Sequence, residues 1–206
     1  MFISGSLDEL DLRLQKTLDK WNLYESQIKT LSGRLGFQRN RLEFLGYIIE
    51  LESGKVYDKI ENCPVRNPTI LYVLSAHYSQ AKPTDIVGKL IKFRDLPGGY
   101  AYEGAFTKRA VSPIAGMFNE KPEMLLEAAK PLNGLKREYG DSSVEIPALP
   151  RIPLVYILWK SDEFPTSATT LFDTSASHYL PTEDLAVLAE LTTTRLRHCL
   201  EKMKGH

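Results

Sequence analysis

The first part of the chain carries a stripe of apolar residues with nearly heptad spacing: Leu7, Leu10, Leu14, Trp21, Tyr24, Ile28 and Leu31. Ser6 and Glu9 match a capping box, and Gly33 supplies a helix stop. The pattern therefore predicts a helix from about residue 7 to residue 32. The stripe can pack against the rest of the chain, or it can form a helical contact in a homodimer.

The residues from 37 to 60 predict a β-hairpin. Residues 42–51 are rich in aromatic and β-branched side chains, and residues 52–54 supply the turn. A short helix follows, with Asn67 as its cap and Pro68 at its first position. Its predicted buried face consists of Ile70, Val73, Leu74 and His77.

The middle of the chain predicts shorter elements. A strand ending near Phe93 leads into a turn at Gly98 and Gly99, a pair that favours a turn over a phosphate cradle because it follows a proline. Residues 102–113 predict a helix that ends at Pro113, and residues 121–132 predict another that begins near Pro122. Residues 147–153, PALPRIP, predict a stiff extended connector.

The last third predicts the centre of the fold. Residues 154–159 are continuously apolar, as in a central strand covered on both faces, and residues 169–172 predict its partner strand. Residues 181–203 predict a helix that buries Leu185, Leu188, Leu191 or Thr192, and Leu196. The whole chain, residues 1–206, is predicted to be one α+β domain: a mostly antiparallel sheet with a long N-terminal helix, short middle helices and a C-terminal helix packed on it.

Composition narrows the classes of partner. The 206 residues contain 26 Lys plus Arg and 26 Asp plus Glu, so nothing in the net charge attracts nucleic acid or an anionic membrane. Apolar residues make up 43% of the chain, but no run reaches the roughly 18–20 residues that a membrane helix needs. The N-terminus lacks the features of a signal peptide. We therefore expect a cytoplasmic protein with no nucleic-acid or membrane partner.

The sequence assigns no metal or cofactor. Cys63 and Cys199 are the two cysteines, and their spacing fits two free thiols better than a disulfide, a structural zinc site or a four-cysteine iron–sulfur cluster. The standard nucleotide-binding, nucleophile-elbow and zinc-protease motifs are absent.

Residues 158–185 hold an unusual density of acids and aromatics. Thr182 can cap the last helix, and Glu183 and Asp184 suit its first turn. Asp173 can pair with Arg151 or form an Asx turn with the residues that follow it. The acids without such a local role are Asp162 and Glu163, which adjoin Trp159 and Phe164 at the end of the predicted central strand.

These four residues are the main candidates for a ligand-binding surface. A second wall can come from Phe93, Arg94, Gly98, Gly99 and Tyr100. The leading hypothesis is an accessory or ligand-binding protein for a small molecule or partner protein. One alternative is an enzyme using Asp or Glu as general acid and base, with His178 or a divalent metal. The other is an oligomeric interaction module that uses the first helix.

Several segments together resemble one family. LWKSDEFPTSATTLFD with HYLPTEDLAVLAEL, GKLIKFRDLPGGYAYEGAFTKRAVSPI and FLGYIIELESGKV are similar to the domain-of-unknown-function family 3786, over about residues 37–196. The resemblance implies an association with anaerobic bacteria and archaea, and by analogy with one-carbon or corrinoid metabolism. Some members have an iron–sulfur module before this domain. These 206 residues contain no Cys-rich module, so that function is not carried over.

Overall fold

The computed structural model describes residues 20–161 and 163–204. Within these ranges the chain forms two compact units, one drawn from residues 20–43 and 47–80, the other from residues 44–46, 81–161 and 163–204. Helices occur together with two antiparallel sheets, which confirms the predicted α+β class. The single domain remains a prediction.

The first unit is a four-stranded meander with two helices. The sheet has the order β1-β2-β3-β4. Its elements are α1 over residues 20–29, β1 (Arg41–Phe44), β2 (Tyr47–Glu50), β3 (Val56–Asp58), β4 (Cys63–Pro64) and α2 (Thr69–Ser79).

Only the second half of the predicted N-terminal helix falls within the described residues. Trp21, Ile28 and Leu31 are buried in the first unit, as the stripe predicts. The helix ends at residue 29, and Gly33 follows in the left-handed conformation with φ +68°. The proposed capping box and the first three apolar positions of the stripe lie outside the described residues. Self-association through this helix stays a prediction.

The turn after β2 contains a glycine because the Trp21 ring lies against it. Gly54 has φ +69°, and a Cβ there would lie 2.3 Å from Cδ2 of Trp21. The Trp21 ring packs against Tyr72 with a centroid separation of 5.4 Å, and the Tyr72 hydroxyl donates a hydrogen bond to the carbonyl of Gly54. Burial raises the pKa of Tyr72 to about 12. The predicted turn at residues 52–54 is therefore confirmed and is fixed by its contacts.

We expect Tyr72→Phe to lower the free energy of unfolding of the first unit by roughly 1–2 kcal/mol, since the Gly54 carbonyl loses its buried donor. Chemical denaturation followed by circular dichroism measures the change. Tyr57→Phe is the matched control, because the Tyr57 hydroxyl bonds to Asn62 at the surface. Equal losses in the two variants would contradict the role given to the Gly54 bond.

The predicted long strand over residues 42–51 is wrong in one respect, because the chain reverses inside it. Leu45 has φ +50° and Gly46 has φ +77°, so these residues form a two-residue turn between β1 and β2. Leucine rarely adopts a positive φ. An apolar residue at this position therefore gave no turn signal.

The predicted buried face of α2 is wrong in part: Leu74 is buried as predicted and Val73 is half-buried, but Ile70 and His77 are not buried. The helix buries Leu71, Tyr72, Leu74 and Tyr78, whereas Ile70 is 38% exposed and His77 is exposed. The two tyrosines are larger than the aliphatic residues on the predicted face, and both hydroxyls reach backbone carbonyls: Tyr78 donates to Leu35 at 3.0 Å. Burying both aromatic rings turns His77 outward.

The second unit is a five-stranded antiparallel sheet with the order β5-β9-β8-β7-β6. Its strands are β5 (Leu90–Lys92), β6 (Leu135–Lys136), β7 (Ser142–Leu149), β8 (Ile152–Trp159) and β9 (Ser167–Asp173). Its helices are α3 (Gly99–Phe106), α4 (Ser112–Phe118), α5 (Met124–Ala129) and α6 (Thr182–Lys204).

Strand β8 is the centre of this sheet. All of its residues before Trp159 are buried, and it pairs with β7 on one side and β9 on the other. This confirms the predicted central strand and its partner. The predicted connector over residues 147–153 is wrong, because Pro147 lies in β7 and pairs with Pro153 in β8. The register places two residues without an amide hydrogen opposite each other, so the ladder tolerates both prolines.

Helix α6 has the predicted buried side, with Leu185, Leu188, Thr192 and Leu196 all buried. Glu183 and Asp184 lie in its first turn, as predicted. The Thr182 hydroxyl has a different partner from the predicted cap, since it donates to the carbonyl of Pro97 at 2.7 Å.

Two polar contacts anchor buried side chains of the second unit. Arg195 is fully buried, and its Nε donates to the carbonyl of Leu45 at 3.0 Å. The buried Thr193 hydroxyl donates to the carbonyl of Ala110 at 2.8 Å. Because buried polar groups need partners, these bonds help fix the position of α6 within the unit.

The predicted helix end at Pro113 is wrong. Helices α3 and α4 are joined by a π-helical turn, Thr107–Val111, and the helical path continues through Pro113 to Phe118. Proline lacks an amide hydrogen and its ring displaces the carbonyl one turn earlier. The wider π-helical turn just before Pro113 gives the chain room to pass it.

Candidate functional site

An open cleft lies in the second unit where the loop between β6 and β7 meets the start of α5. Its volume is about 210 Å³. The α5 side contributes Glu123 and Leu126, and the loop side contributes residues 136–143. The cleft is therefore built mainly from one short segment of sequence.

Gly140 fixes the shape of this segment. It has φ +55°, and a Cβ there would lie 2.5 Å from the carbonyl oxygen of Leu158. The amide of Asp141 donates to that same oxygen at 2.9 Å. On the other side of the turn, the Tyr139 amide donates to Oγ of Ser143 at 2.9 Å. The loop is thus tied directly to the central strand.

The same contacts bring Trp159 beside the cleft. Trp159 is the last residue of β8, and its Nε1 lies 3.2 Å from the position that a Cβ of Gly140 would take. The next amide, of Lys160, donates to Oδ2 of Asp141 at 2.7 Å. Trp159 and Tyr139 are 41% and 47% exposed, so both aromatic side chains are accessible to solvent.

The cations of the cleft already have acidic partners. Lys136 pairs with Glu138 at 3.0 Å, and Arg137 pairs with Glu145 at 2.7 Å. Glu123 and Asp141 make no ion pair with a cation in the described part of the chain. The cleft therefore carries two carboxylates whose charge is not compensated by a neighbouring cation.

The remaining candidates after Trp159 lie on an exposed bend. The amides of Glu163 and Phe164 donate to Oγ of Ser161 at 3.2 and 3.1 Å. Phe164 is 70% exposed and Glu163 is exposed. Asp162 lies outside the described residues. Neither Glu163 nor Phe164 is among the residues that line the cleft.

The predicted second wall forms a separate cluster at the start of α3. The Arg94 guanidinium lies 5.4 Å from the ring centroid of Tyr100 and 3.6 Å from the Glu103 carboxylate. Phe93 belongs to the core, where it stacks on Phe106 with a centroid separation of 4.0 Å. Gly98 has φ +74°, as the predicted turn requires. None of these residues lines the cleft.

His178 and Trp159 lie near opposite ends of β9. Trp159 pairs with Ser167 at the start of β9, and His178 ends the 3-10 turn that follows Asp173. A strand of this length spans about 20 Å. The structure therefore does not bring His178 into the cleft.

Asp173 has a structural role, as the sequence predicts. Its Oδ1 accepts from the amides of Val87 and Ser175 and from the Ser175 hydroxyl, and its Oδ2 accepts from the amide of Gly88 at 2.6 Å. Burial alone would raise the pKa of Asp173, but these hydrogen bonds outweigh burial and hold the pKa below its usual value. The predicted Asx turn is confirmed.

Within the described ranges, neither a cluster of metal-ligating side chains nor a membrane-spanning helix is found. In residues 20–161 and 163–204, no three His, Cys, Asp or Glu side chains are grouped so that they could hold a metal ion. Within those ranges, no helix has both the length and the apolar character needed to cross a bilayer.

The fold and site thus define an α+β protein with an open, mixed-polarity cleft beside its central strand. A family model described as "Domain of unknown function (DUF3786)" matches residues 28–195. The chain belongs to this family, which confirms the resemblance found in the sequence. No curated protein and no solved structure matches the chain.

The cleft itself was not predicted from the sequence. Residues 136–143 alternate only weakly between polar and apolar and contain charges of both signs, which is typical of a solvated hairpin. The available signal was Tyr139 directly before Gly140 and Asp141, since an aromatic residue in a tight turn has no core position to occupy.

Proposed function

We propose that the protein is a ligand-binding protein and that the cleft beside Trp159 is its binding site. The observation that carries this proposal is the direct attachment of the cleft-forming loop to the end of β8 through Gly140 and Asp141. Sites on rigid elements hold their ligand groups in place, and here the rigid element is the most buried strand of the sheet.

The size of the cleft limits the ligand to a small molecule or one side chain of a larger one. A volume of about 210 Å³ lies below the roughly 300–1,000 Å³ that is usual for pockets of drug-sized ligands. A complete corrinoid is much larger. The family resemblance suggests an anaerobic one-carbon or corrinoid setting. We propose this setting as the metabolic context of the protein, and we do not propose a corrinoid as its ligand.

We place this accessory role in the cytoplasm. Cys63 is exposed, Cys199 is buried, and neither forms a disulfide in the described part of the chain. An exposed free thiol suits a reducing compartment.

Binding can be followed through Trp159. The emission of the unaltered chain minus that of Trp159→Phe isolates this residue, because the chain has two tryptophans and Trp21 is buried in the first unit. We expect at least one member of a panel of small polar metabolites to change this difference signal in a saturable way. The expected reason is that a ligand in the cleft alters the surroundings of the indole beside Gly140.

Tyr139→Ser should weaken the binding detected in this way, since Tyr139 lines the cleft. Tyr102→Ser is the matched control, because Tyr102 is 52% exposed but lies on α3, away from the lining residues. A panel in which no compound gives a saturable signal, or a ligand that binds equally well to the Tyr139→Ser variant, would show that the cleft is not the site.

A further inference from the structure

We infer that the ligand of this cleft is an organic cation, with an ammonium or guanidinium group. This inference rests on the proposed function and concerns the charge of the ligand. Lys136 and Arg137 are each paired with a carboxylate, which offsets the positive charge that an anion would meet in the cleft. The anion would also meet the uncompensated charges of Glu123 and Asp141, which repel it.

Asp141 is held in a defined position, unlike a mobile surface acid. Its amide is bound to the carbonyl of Leu158, and its Oδ2 accepts from the amide of Lys160. One carboxylate oxygen is therefore fixed by the backbone while the other has no partner among the described residues. Such a pre-oriented oxygen can accept a hydrogen bond from an ammonium or guanidinium group without first losing conformational freedom.

Aromatic side chains favour the same sign of charge. Tyr139 lines the cleft, and Trp159 adjoins it through Gly140. The negative faces of tyrosine and tryptophan rings attract cations, most strongly for tryptophan.

An organic cation also fits better than a metal ion. A metal ion that is held mainly by protein groups needs several oxygen, imidazole or thiolate ligands in a compact set. Within the described residues no such set of three acidic, His or Cys side chains occurs. An organic cation needs only one or two carboxylates, together with apolar and aromatic contacts, and those are the features of this cleft.

The test uses the full chain and four probes: choline, methylguanidinium, the uncharged choline isostere 3,3-dimethylbutan-1-ol, and butyrate. The readout is the Trp159 difference emission, checked by calorimetric titration. We expect at least one of the two cations to bind about tenfold more tightly than the neutral isostere and butyrate, since a cation–π contact and an ion pair act together. Added salt should weaken cation binding.

The charge variants are Glu123→Gln and Asp141→Asn, which change charge with little change of shape. Each should weaken cation binding roughly twofold to fivefold, as expected for loss of one exposed ion pair. Glu120→Gln is the control, because Glu120 is an exposed acid that does not line the cleft. Thermal melts of all three variants exclude a loss caused by unfolding.

The possible outcomes distinguish a failure of the cationic ligand from a failure of the proposed function. Equal or tighter binding of the neutral isostere or butyrate at a Tyr139-dependent site would overturn the cationic ligand and leave the proposed function standing. Cation binding that is unchanged in both Glu123→Gln and Asp141→Asn would overturn it as well. If no compound of any charge binds in the larger metabolite panel, both the inference and the proposed function fail.

Discussion

Gly99→Ala is expected to lower the free energy of unfolding of the second unit by roughly 3–5 kcal/mol, the range of severe strain or overpacking. A Cβ at residue 99 would lie 2.0 Å from the carbonyl oxygen of Phe93. That atom belongs to the backbone of the 3-10 turn Phe93–Asp95, so it cannot move aside as a flexible side chain would. Relief requires the start of α3 to separate from this turn.

Gly98→Ala is the matched control for this change. Gly98 has φ +74°, but a Cβ there meets nothing within 4 Å, so the variant bears only the conformational cost of about 1 kcal/mol. Urea denaturation of both variants measures the contrast. Similar losses would mean that the Phe93 carbonyl does not set the requirement for glycine at residue 99.

Asp173→Asn should lower the free energy of unfolding by roughly 2–4 kcal/mol, because it disrupts charged hydrogen bonds in a buried site. The side chain of Asp173 is 1% exposed and accepts from four donors. An amide group would turn its own N–H toward at least one of these donors. Asp85→Asn is the control, since Asp85 is an exposed acid in the neighbouring segment, and it should change stability by less than about 0.5 kcal/mol.

The pH dependence of stability provides a second measurement on Asp173. Its pKa in the folded protein lies below the usual value, and in the unfolded chain it is about 3.9. The contribution of Asp173 to stability is therefore complete above about pH 4 and is lost as the pH falls through the folded pKa. Stability of the unaltered chain should fall more steeply below pH 4 than that of Asp173→Asn. Parallel pH profiles would refute the assignment.

The elements that could be predicted from sequence are those whose burial and local signals agree. Residues 154–159 are apolar on both faces and are bounded by prolines and charges, and they form most of β8. Helix α6 combines acids in its first turn with a periodic apolar face. In both elements a single pattern accounts for local conformation and for packing, so tertiary contacts had no reason to override it.

The errors occur where a long-range contact decides the local conformation. Leu45 adopts a positive φ although leucine disfavours it, and its carbonyl accepts from Arg195, which is distant in sequence. His77 is exposed because tyrosines elsewhere on α2 occupy the core. Neither result follows from the periodicity of a short segment. The first depends on Arg195, and the second depends on the carbonyls of Gly54 and Leu35, which lie outside α2 and accept hydrogen bonds from its tyrosines.

The candidate site was predicted in part for the same reason. Trp159 was selected because acids and aromatics are dense around it, and it does adjoin the cleft. Its cleft partners Tyr139, Gly140 and Asp141 precede it by about twenty residues and meet it only through the pairing of β7 with β8. A search restricted to the neighbourhood of Trp159 in sequence could not find them.

The fully buried strand β8 also has a consequence for synthesis of the protein. Its sequence, IPLVYILW, is uncharged and rich in β-branched and aromatic residues, which are the properties of segments that form intermolecular cross-β aggregates. Strand β9 and helix α6 follow β8 along the chain, so β8 leaves the ribosome before its second neighbour strand exists. Until then β7 is the only neighbour strand available to β8, while Pro153 near its start and the charges of Arg151 and Lys160 at its ends disfavour aggregation, so we expect chaperones that act during translation to raise the yield of native chain.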